Sequence, residues 1–244
     1  MKRALIVLPA HNEEVVLSKN ARELVLWCAQ NLSGFDWCVH IAENGSTDRT
    51  AEIAREIAAG NPRVVMSSSA EPGRGRALSR VWSEAEKKFE VLAYMDIDLS
   101  ADLAALPILL EAASGGRAVS FGSRFDQGAS IERSLYREAA SRGYRALVRV
   151  ALGIKARDLQ CGFKAVSATA WQELKKYVTH SGWFWDTELI FWAERLNLSL
   201  AAVPVHWVET RDQKRKSTVK VIPTALGYLR DISAMRWRLW KERF

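Results

Sequence analysis

The segment YMDIDLSAD, residues 94–102, places two carboxylates, Asp96 and Asp98, directly after the apolar run FEVLAYM. In an extended chain, side chains at i and i+2 point the same way, so these two charges crowd one another. Like charges so placed repel, and a cation between them removes the conflict. An all-oxygen donor set suits a hard divalent ion, Mg2+ or Mn2+. Mg2+ usually takes one or two carboxylates and keeps room for substrate phosphates and water. The plainer alternative is a helix cap followed by a solvated turn. The position at the end of a buried strand favours the metal, because ligands of parallel sheets gather at the C-terminal strand ends.

Three further polar clusters stand near apolar runs. HNEE at 11–14 and ENGSTDRT at 43–50 each read alone as a turn leading into a helix. EPGRGRAL at 71–78 reads alone as a flexible loop, yet its backbone N–H groups with Arg74 and Arg76 also suit a phosphate.

The elements that must position these clusters alternate. Strands are expected at 3–10, 36–43, 63–68, 91–98 and 118–124, and helices at 13–32, 46–60, 75–89 and near 102–114. Strand and helix in turn indicate βαβ units and a mostly parallel sheet. The polar endings His11-Asn12-Glu13, Glu43-Asn44-Gly45-Ser46 and Asp96-Ile97-Asp98 then share one rim of that sheet. The second half is less regular. A basic helix is expected over 130–152, then the loop ARDLQCGFKAV, the aromatic and acidic stretch GWFWDTELIFWAERL and a strand AAVPVHWVE. No internal repeat or low-complexity segment interrupts the chain.

A chain of 244 residues is ample for one large domain with an appendage. The three cysteines, Cys28, Cys38 and Cys161, lack metal-ligand spacing and point to a reducing compartment. No apolar run approaches the ~18 residues a spanning helix needs. The net charge of +7 sits entirely in 211–244, and the preceding 210 residues balance. We therefore expect a catalytic body at 1–210 and a basic amphipathic C-terminal segment at 211–244. That segment interleaves Trp237, Leu239, Trp240 and Phe244 with Arg236, Arg238, Lys241 and Arg243. Such a helix can lie in an anionic membrane interface. The plainer alternative packs its Trp and Leu onto the body.

The ordered set LPAHNEE, ENGSTDRT, GRGRAL, DIDLS, GSRF, RDLQCGFKA and WDTELIFWAERL resembles family 2 glycosyltransferases of the glycosyltransferase A fold. More narrowly it resembles the polyprenyl-phosphate hexosyltransferases, that is, the dolichyl-phosphate mannosyl- and glucosyltransferases and their bacterial relatives. The resemblance implies an α/β fold with a Rossmann-like, mostly parallel sheet flanked by helices, to which this chain's own residues add the C-terminal amphipathic helix. It places Pro9, Ala10, Glu13, Glu43, Ser46 and Arg74 around a nucleotide-sugar donor, with Asp96 and Asp98 as the metal carboxylates. Glu43-Asn44 stands where the family has two aspartates, and Ser100 where mannosyltransferases often have Gln. Arg124 matches an arginine near the phosphates. Arg137 and Ser141 match an acceptor-phosphate clamp on one helix face, which Arg133 extends.

The function so implied is inverting, metal-dependent transfer of glucose or mannose from UDP-glucose or GDP-mannose to a polyprenyl phosphate, by a protein on the cytoplasmic face of a membrane. Asp98, Arg124 and Arg137 would carry catalysis. Arg124, Arg133, Arg137, Ser141, Arg211 and Lys216 would hold the acceptor phosphate. An anionic acceptor needs no base. The alternative acceptor, a glycan or small alcohol, does need one, and Asp158, Asp186 and Glu188 are then the candidates. A non-enzymatic binder of anionic surfaces or nucleic acid, working through the basic tail, is the reading of another class. It leaves the polar clusters unexplained, and no usual nucleic-acid motif is present, so nucleic acid is not an expected partner.

Overall fold

The structure, a computed structural model, describes residues 1–132, 135–208 and 221–242. The first half follows the expected alternation: β1 (Lys2–Ala10), α1 (Leu17–Asn31), β2 (Phe35–Glu43), α2 (Thr50–Gly60), β3 (Val64–Ser67), α3 (Arg74–Ala85), β4 (Val91–Met95), α4 (Leu106–Ala113) and β5 (Ala118–Ser123). The second half adds β6 (Ser130–Glu132), α5 (Leu135–Leu152), β7 (Phe163–Ser167), α6 (Ala168–Leu174), α7 (Trp185–Arg195), β8 (Ser199–Pro204), β9 (His206–Val208) and α8 (Val221–Glu242).

Seven strands form one sheet in the order β3-β2-β1-β4-β7-β5-β8, and β6 pairs with β9 in a small second sheet. Among the described residues, β7 alone runs antiparallel within the large sheet, against both β4 and β5. The strand order reverses between β1 and β4, since β2 and β3 lie to one side and β4 to the other. A crevice opens at such a switch point, beyond the C-terminal strand ends. Asp96 and Asp98 follow β4, and His11 to Glu13 follow β1, so both clusters border that crevice.

Alternation along each strand sorts residues between two cores. Ile6 and Leu8 of β1 and Val91, Ala93 and Met95 of β4 face the layer of α1, α2 and α4. Leu5, Val7, Leu92 and Tyr94 face the layer of α3, α6 and α7. The second layer is aromatic. Trp82 packs edge-on to Trp171 and Trp185 at ring-centroid distances of 5.2 and 5.3 Å. Ser79 accepts the Trp185 indole N–H at 2.8 Å, which satisfies a buried donor.

Three expectations about the elements are corrected. The strand expected to reach residue 98 ends at Met95, because the chain turns over 96–99, where the Leu99 N–H closes on the Asp96 carbonyl at 3.1 Å. The helix expected from 130 starts at Leu135, since 130–132 form β6 against β9. The last strand divides after Pro204: β8 completes the large sheet and β9 joins the small one.

The basic tail contains α8, which is no bare appendage. Ile232 and Met235 are buried against the α3/α7 layer. The Tyr228 hydroxyl donates to Gln160 Oε1 at 3.0 Å, and Arg238 donates to the Tyr177 carbonyl at 2.9 Å. The opposite face exposes Leu229, Trp237 and Trp240. Among the described residues, no helix is long and apolar enough to cross a membrane.

Candidate active site

The rim of the crevice is built from loop-to-loop hydrogen bonds. Asn12 adopts φ 55°, and from there its N–H reaches Ser46 Oγ at 3.1 Å while its Oδ1 accepts the Thr47 N–H at 2.8 Å. Glu13 donates its N–H to Thr50 Oγ1 at 2.7 Å. Asn44 links three segments. Its amide donates to the Ala10 carbonyl at 2.8 Å, its Oδ1 accepts the Gly73 N–H at 3.1 Å, and its carbonyl accepts the His11 ring N–H at 2.8 Å. Gly45 sits at φ 69°, where an added Cβ would lie 2.7 Å from the Pro72 nitrogen.

Glu43 is buried and accepts the Ser46 N–H at 2.6 Å and the Ser68 hydroxyl. Burial opposes its charge, but these donors outweigh burial and hold the carboxyl below its ordinary range. Pro9 and Ala10 pair in register with Ala42 and Glu43, so the ends of β1 and β2 expected on the donor side are brought together.

Asp96 and Asp98 stand at the mouth of this rim. Asp98 Oδ1 accepts the Ser100 N–H at 3.2 Å, and Leu99 between them takes φ 51°, a left-handed conformation unusual for a branched residue. Such strain persists only where the surroundings over-determine it, and it collects at functional sites. Burial raises the Asp96 carboxyl above its usual range. Arg74 partly offsets this and the Asp98 charge adds to it. The Asp96 carboxylate lies against Gly162, where a Cβ would fall 1.8 Å from Oδ2. A pair of mutually repelling carboxylates, one seated in a glycine cradle, fits a hard divalent cation. Among the described residues no group of three or more His, Cys, Asp or Glu is placed to hold a metal. Substrate phosphates and water would therefore complete the shell.

Arg74 does not extend into the crevice as a phosphate clamp. It is 8 % exposed, and its guanidinium bonds Asp96 Oδ1 at 2.9 Å and Asp186. Arg76 pairs with Glu71. Arg124 also turns inward, forking onto Asp158 at 2.7 and 2.8 Å, with its own N–H on the same carboxylate at 3.0 Å. Burial opposes the Asp158 charge, but Arg124 outweighs it and holds the carboxyl low.

α5 carries Arg137 and a half-buried Ser141, and for Arg137 only the helix backbone is described. Arg145 of α5 lies 4.7 Å over the Phe125 ring, beside the end of β5. Arg133, Arg211 and Lys216 lie outside the described residues.

The three carboxylates expected as a base for an alcohol acceptor are all engaged. Asp158 is held by Arg124. Asp186 lies among Arg74, Lys164 and Tyr94. Glu188 accepts the Thr179 and His180 N–H groups, each at 2.7 Å. Burial pushes the Cys161 thiol up to about 12, in keeping with a small buried hydrophobe. Sequence reasoning missed Gly162, Lys164 and Tyr94. A lysine inside the apolar strand FKAVS is the one signal that pointed to a buried pair, because lysine is almost never fully buried alone.

The profile described as "Glycosyl transferase family 2" matches residues 5–174. The chain is 36% identical over 236 residues to "Glycosyltransferase AglD" of Haloferax volcanii, covering 96% of this chain and 37% of that protein. The chain thus spans little more than a third of that relative's length. It is 24% identical over 241 residues to a dolichyl-phosphate beta-glucosyltransferase of Saccharomyces cerevisiae, covering 90% of this chain and 71% of the other. Among solved structures, glucosyl-3-phosphoglycerate synthase from Mycobacterium tuberculosis with Mn2+ and UDP-glucose superposes with TM-score 0.59 at 23% identity, over 86% of this chain and 72% of the other. That likeness establishes the glycosyltransferase A fold.

The same comparison corrects the expected acceptor. The matching enzyme has also been crystallised with Mn2+, UDP and phosphoglyceric acid, a small soluble phosphorylated acid. The fold therefore serves an acceptor with no lipid chain. The expectation of a polyprenyl phosphate, and the partner set built around that lipid, is not carried further. Its residue basis is also reduced, since Arg124 is committed to Asp158.

Proposed function

The chain belongs to glycosyl transferase family 2, and from that premise we propose that it transfers glucose from UDP-glucose to a hydroxyl of a small phosphorylated acceptor. The observation that carries this reading is the Asp96/Asp98 pair at the sheet's switch point, on the rim built by Glu13, Glu43, Asn44 and Ser46. Asp96 and Asp98 would hold a divalent cation, which supplies neutralisation of the departing diphosphate.

The chain's own residues then have separable tasks. The β1 and β2 ends, locked by Asn44, seat the base and ribose. Asp186 and Lys164 lie behind the carboxylates and set their surroundings. α5 supplies arginines for an anionic acceptor, with Arg145 beside the end of β5. Arginine forks suit phosphate oxygens. Asp158, Asp186 and Glu188 are each engaged by buried partners, and none of them is assigned as the base.

A transfer assay tests this. Protein, Mn2+ and radiolabelled UDP-glucose or GDP-mannose are incubated with 3-phosphoglycerate and related hydroxy acid phosphates, with Asp98→Ala as control. Label is expected to pass from UDP-glucose to an anionic water-soluble product with the unmodified protein only. Label reaching no soluble acceptor, but entering the organic phase with an added lipid phosphate, overturns the reading.

A further inference from the structure

Behind Asp96 runs a row of buried charges of alternating sign. Arg74 bonds Asp96 Oδ1 through Nη2 at 2.9 Å and Asp186 through Nη1. Its guanidinium lies between two rings, 4.7 Å from the Tyr94 centroid and 4.9 Å from the Trp183 centroid. The other oxygen of Asp186 takes the Tyr94 hydroxyl and Lys164 Nζ, the latter at 2.8 Å. Lys164 is 0 % exposed and Asp186 is 1 % exposed, so neither meets substrate. Lys164 also donates to the Cys161 carbonyl, one residue before the glycine on which Asp96 rests.

An arginine facing a lone carboxylate closes on both of its oxygens with two parallel N–H bonds. Here Asp186 occupies one arm of the fork, so Arg74 meets Asp96 through Oδ1 alone. We propose that Asp186, held by Lys164, is a positioning residue for the metal carboxylate: by occupying Nη1 of Arg74 it keeps Oδ2 of Asp96 available to a divalent cation. This rests on the reading of Asp96 and Asp98 as metal-binding carboxylates. Without Asp186, Arg74 would swing its second arm onto Asp96 and compete with the cation for it. Lys164 supports the arrangement by anchoring Asp186 from the far side, within the strand that packs against β4.

The test measures Mn2+ binding by electron paramagnetic resonance in the presence of UDP, and UDP binding in EDTA by calorimetry. It compares the unmodified protein with Asp98→Asn, Asp186→Asn and the double variant Arg74→Gln/Asp186→Asn. Asp186→Asn is expected to weaken Mn2+ binding about 10- to 100-fold, as for other partners of metal ligands. UDP affinity in EDTA should be unchanged. The double variant, with Arg74 removed, should regain much of the lost Mn2+ affinity. It also removes one charge of each sign, so it carries the test if Asp186→Asn does not fold. Mn2+ binding unaltered in Asp186→Asn overturns the proposal. So does an equal loss of Mn2+ and metal-free UDP binding, or a double variant no better than the single. If Asp98→Asn binds Mn2+ as the unmodified protein does, the metal reading itself has failed and the proposal falls with it. That arm tells the two failures apart.

Discussion

The carboxylate of Asp96 rests on the bare backbone of Gly162: a Cβ there would fall 1.8 Å from Oδ2 and 2.6 Å from Oδ1. The contact is drawn tight by the Asp96 N–H on the Gly162 carbonyl at 2.8 Å. One strand end thus seats the carboxylate that another strand delivers, and β7 must run antiparallel to β4 for its first turn to arrive there. The glycine is needed for close approach, since Gly162 does not occupy a left-handed backbone.

Gly162→Ala therefore displaces Asp96. Overpacking of this kind costs about 1–3 kcal/mol of stability. The larger effect falls on transfer activity, which is expected to drop by about a hundredfold or more, comparable to loss of a charge-stabilising group. Thermal melting beside initial rates checks this. Activity within a few-fold of the unmodified protein would show that the Asp96 position does not matter.

Asp158→Asn removes one partner of a buried pair and leaves the Arg124 guanidinium uncompensated. Such breakage costs about 3–5 kcal/mol at neutral pH. Arg124 holds the Asp158 carboxyl below the ordinary carboxylate range, so its stabilisation is fully present above that range and is lost as pH falls through the lower folded value. The stability gap between variant and unmodified protein should hold from neutrality down to that range, then narrow. Urea unfolding across the acid range measures it. A gap that widens on acidification reverses the sign and rejects the assignment.

The βαβ half and its rim were legible because periodicity and polar strand endings are local signals. β1 and β2 appear where the pattern put them, whereas Asp96 and Asp98 follow β4 in a turn and do not lie within the strand. The second half was not legible in the same way. Lys164 in β7 acquires meaning only from Asp186 in α7 and Arg74 in α3, residues brought together by the sheet order. The resemblance sets Arg124 of GSRF near the phosphates, but its partner, Asp158, lies thirty-four positions on and is not legible from that motif. The acceptor was misjudged for a related reason: the Arg137/Ser141 match specifies a clamp for a phosphate, and a phosphate is carried by a lipid and by a small soluble acid alike.

Asn44 accounts for one departure from the family pattern. Its amide donates to the Ala10 carbonyl while its Oδ1 accepts the Gly73 N–H, and an ionised aspartate performs only the second task. Asn44→Asp is expected to destabilise the protein by about 1 kcal/mol, the loss of one of the two hydrogen bonds that the Ala10 carbonyl accepts, the other being the Asn44 backbone N–H at 3.0 Å. It should also raise the KM for the nucleotide sugar, because the β1 and 70–74 loops separate. Chemical unfolding and donor titration report the two effects. Unchanged values for both would mean that the three segments are held elsewhere.

The two faces of α8 should respond oppositely to substitution. Ile232 is buried in the core cluster of the α3/α7 layer, so Ile232→Ala leaves a cavity and costs about 2–5 kcal/mol. Trp240, on the other face, is 76 % exposed, and Trp240→Ala is expected to change stability by no more than about 0.5 kcal/mol. Between them Tyr228→Phe removes the hydroxyl that bonds Gln160, whose amide in turn reaches Thr187 Oγ1 at 2.7 Å. Its loss is expected to cost about 1 kcal/mol. If Ile232→Ala melts with the unmodified protein while Trp240→Ala does not, α8 binds through its other face and the packing described here is wrong.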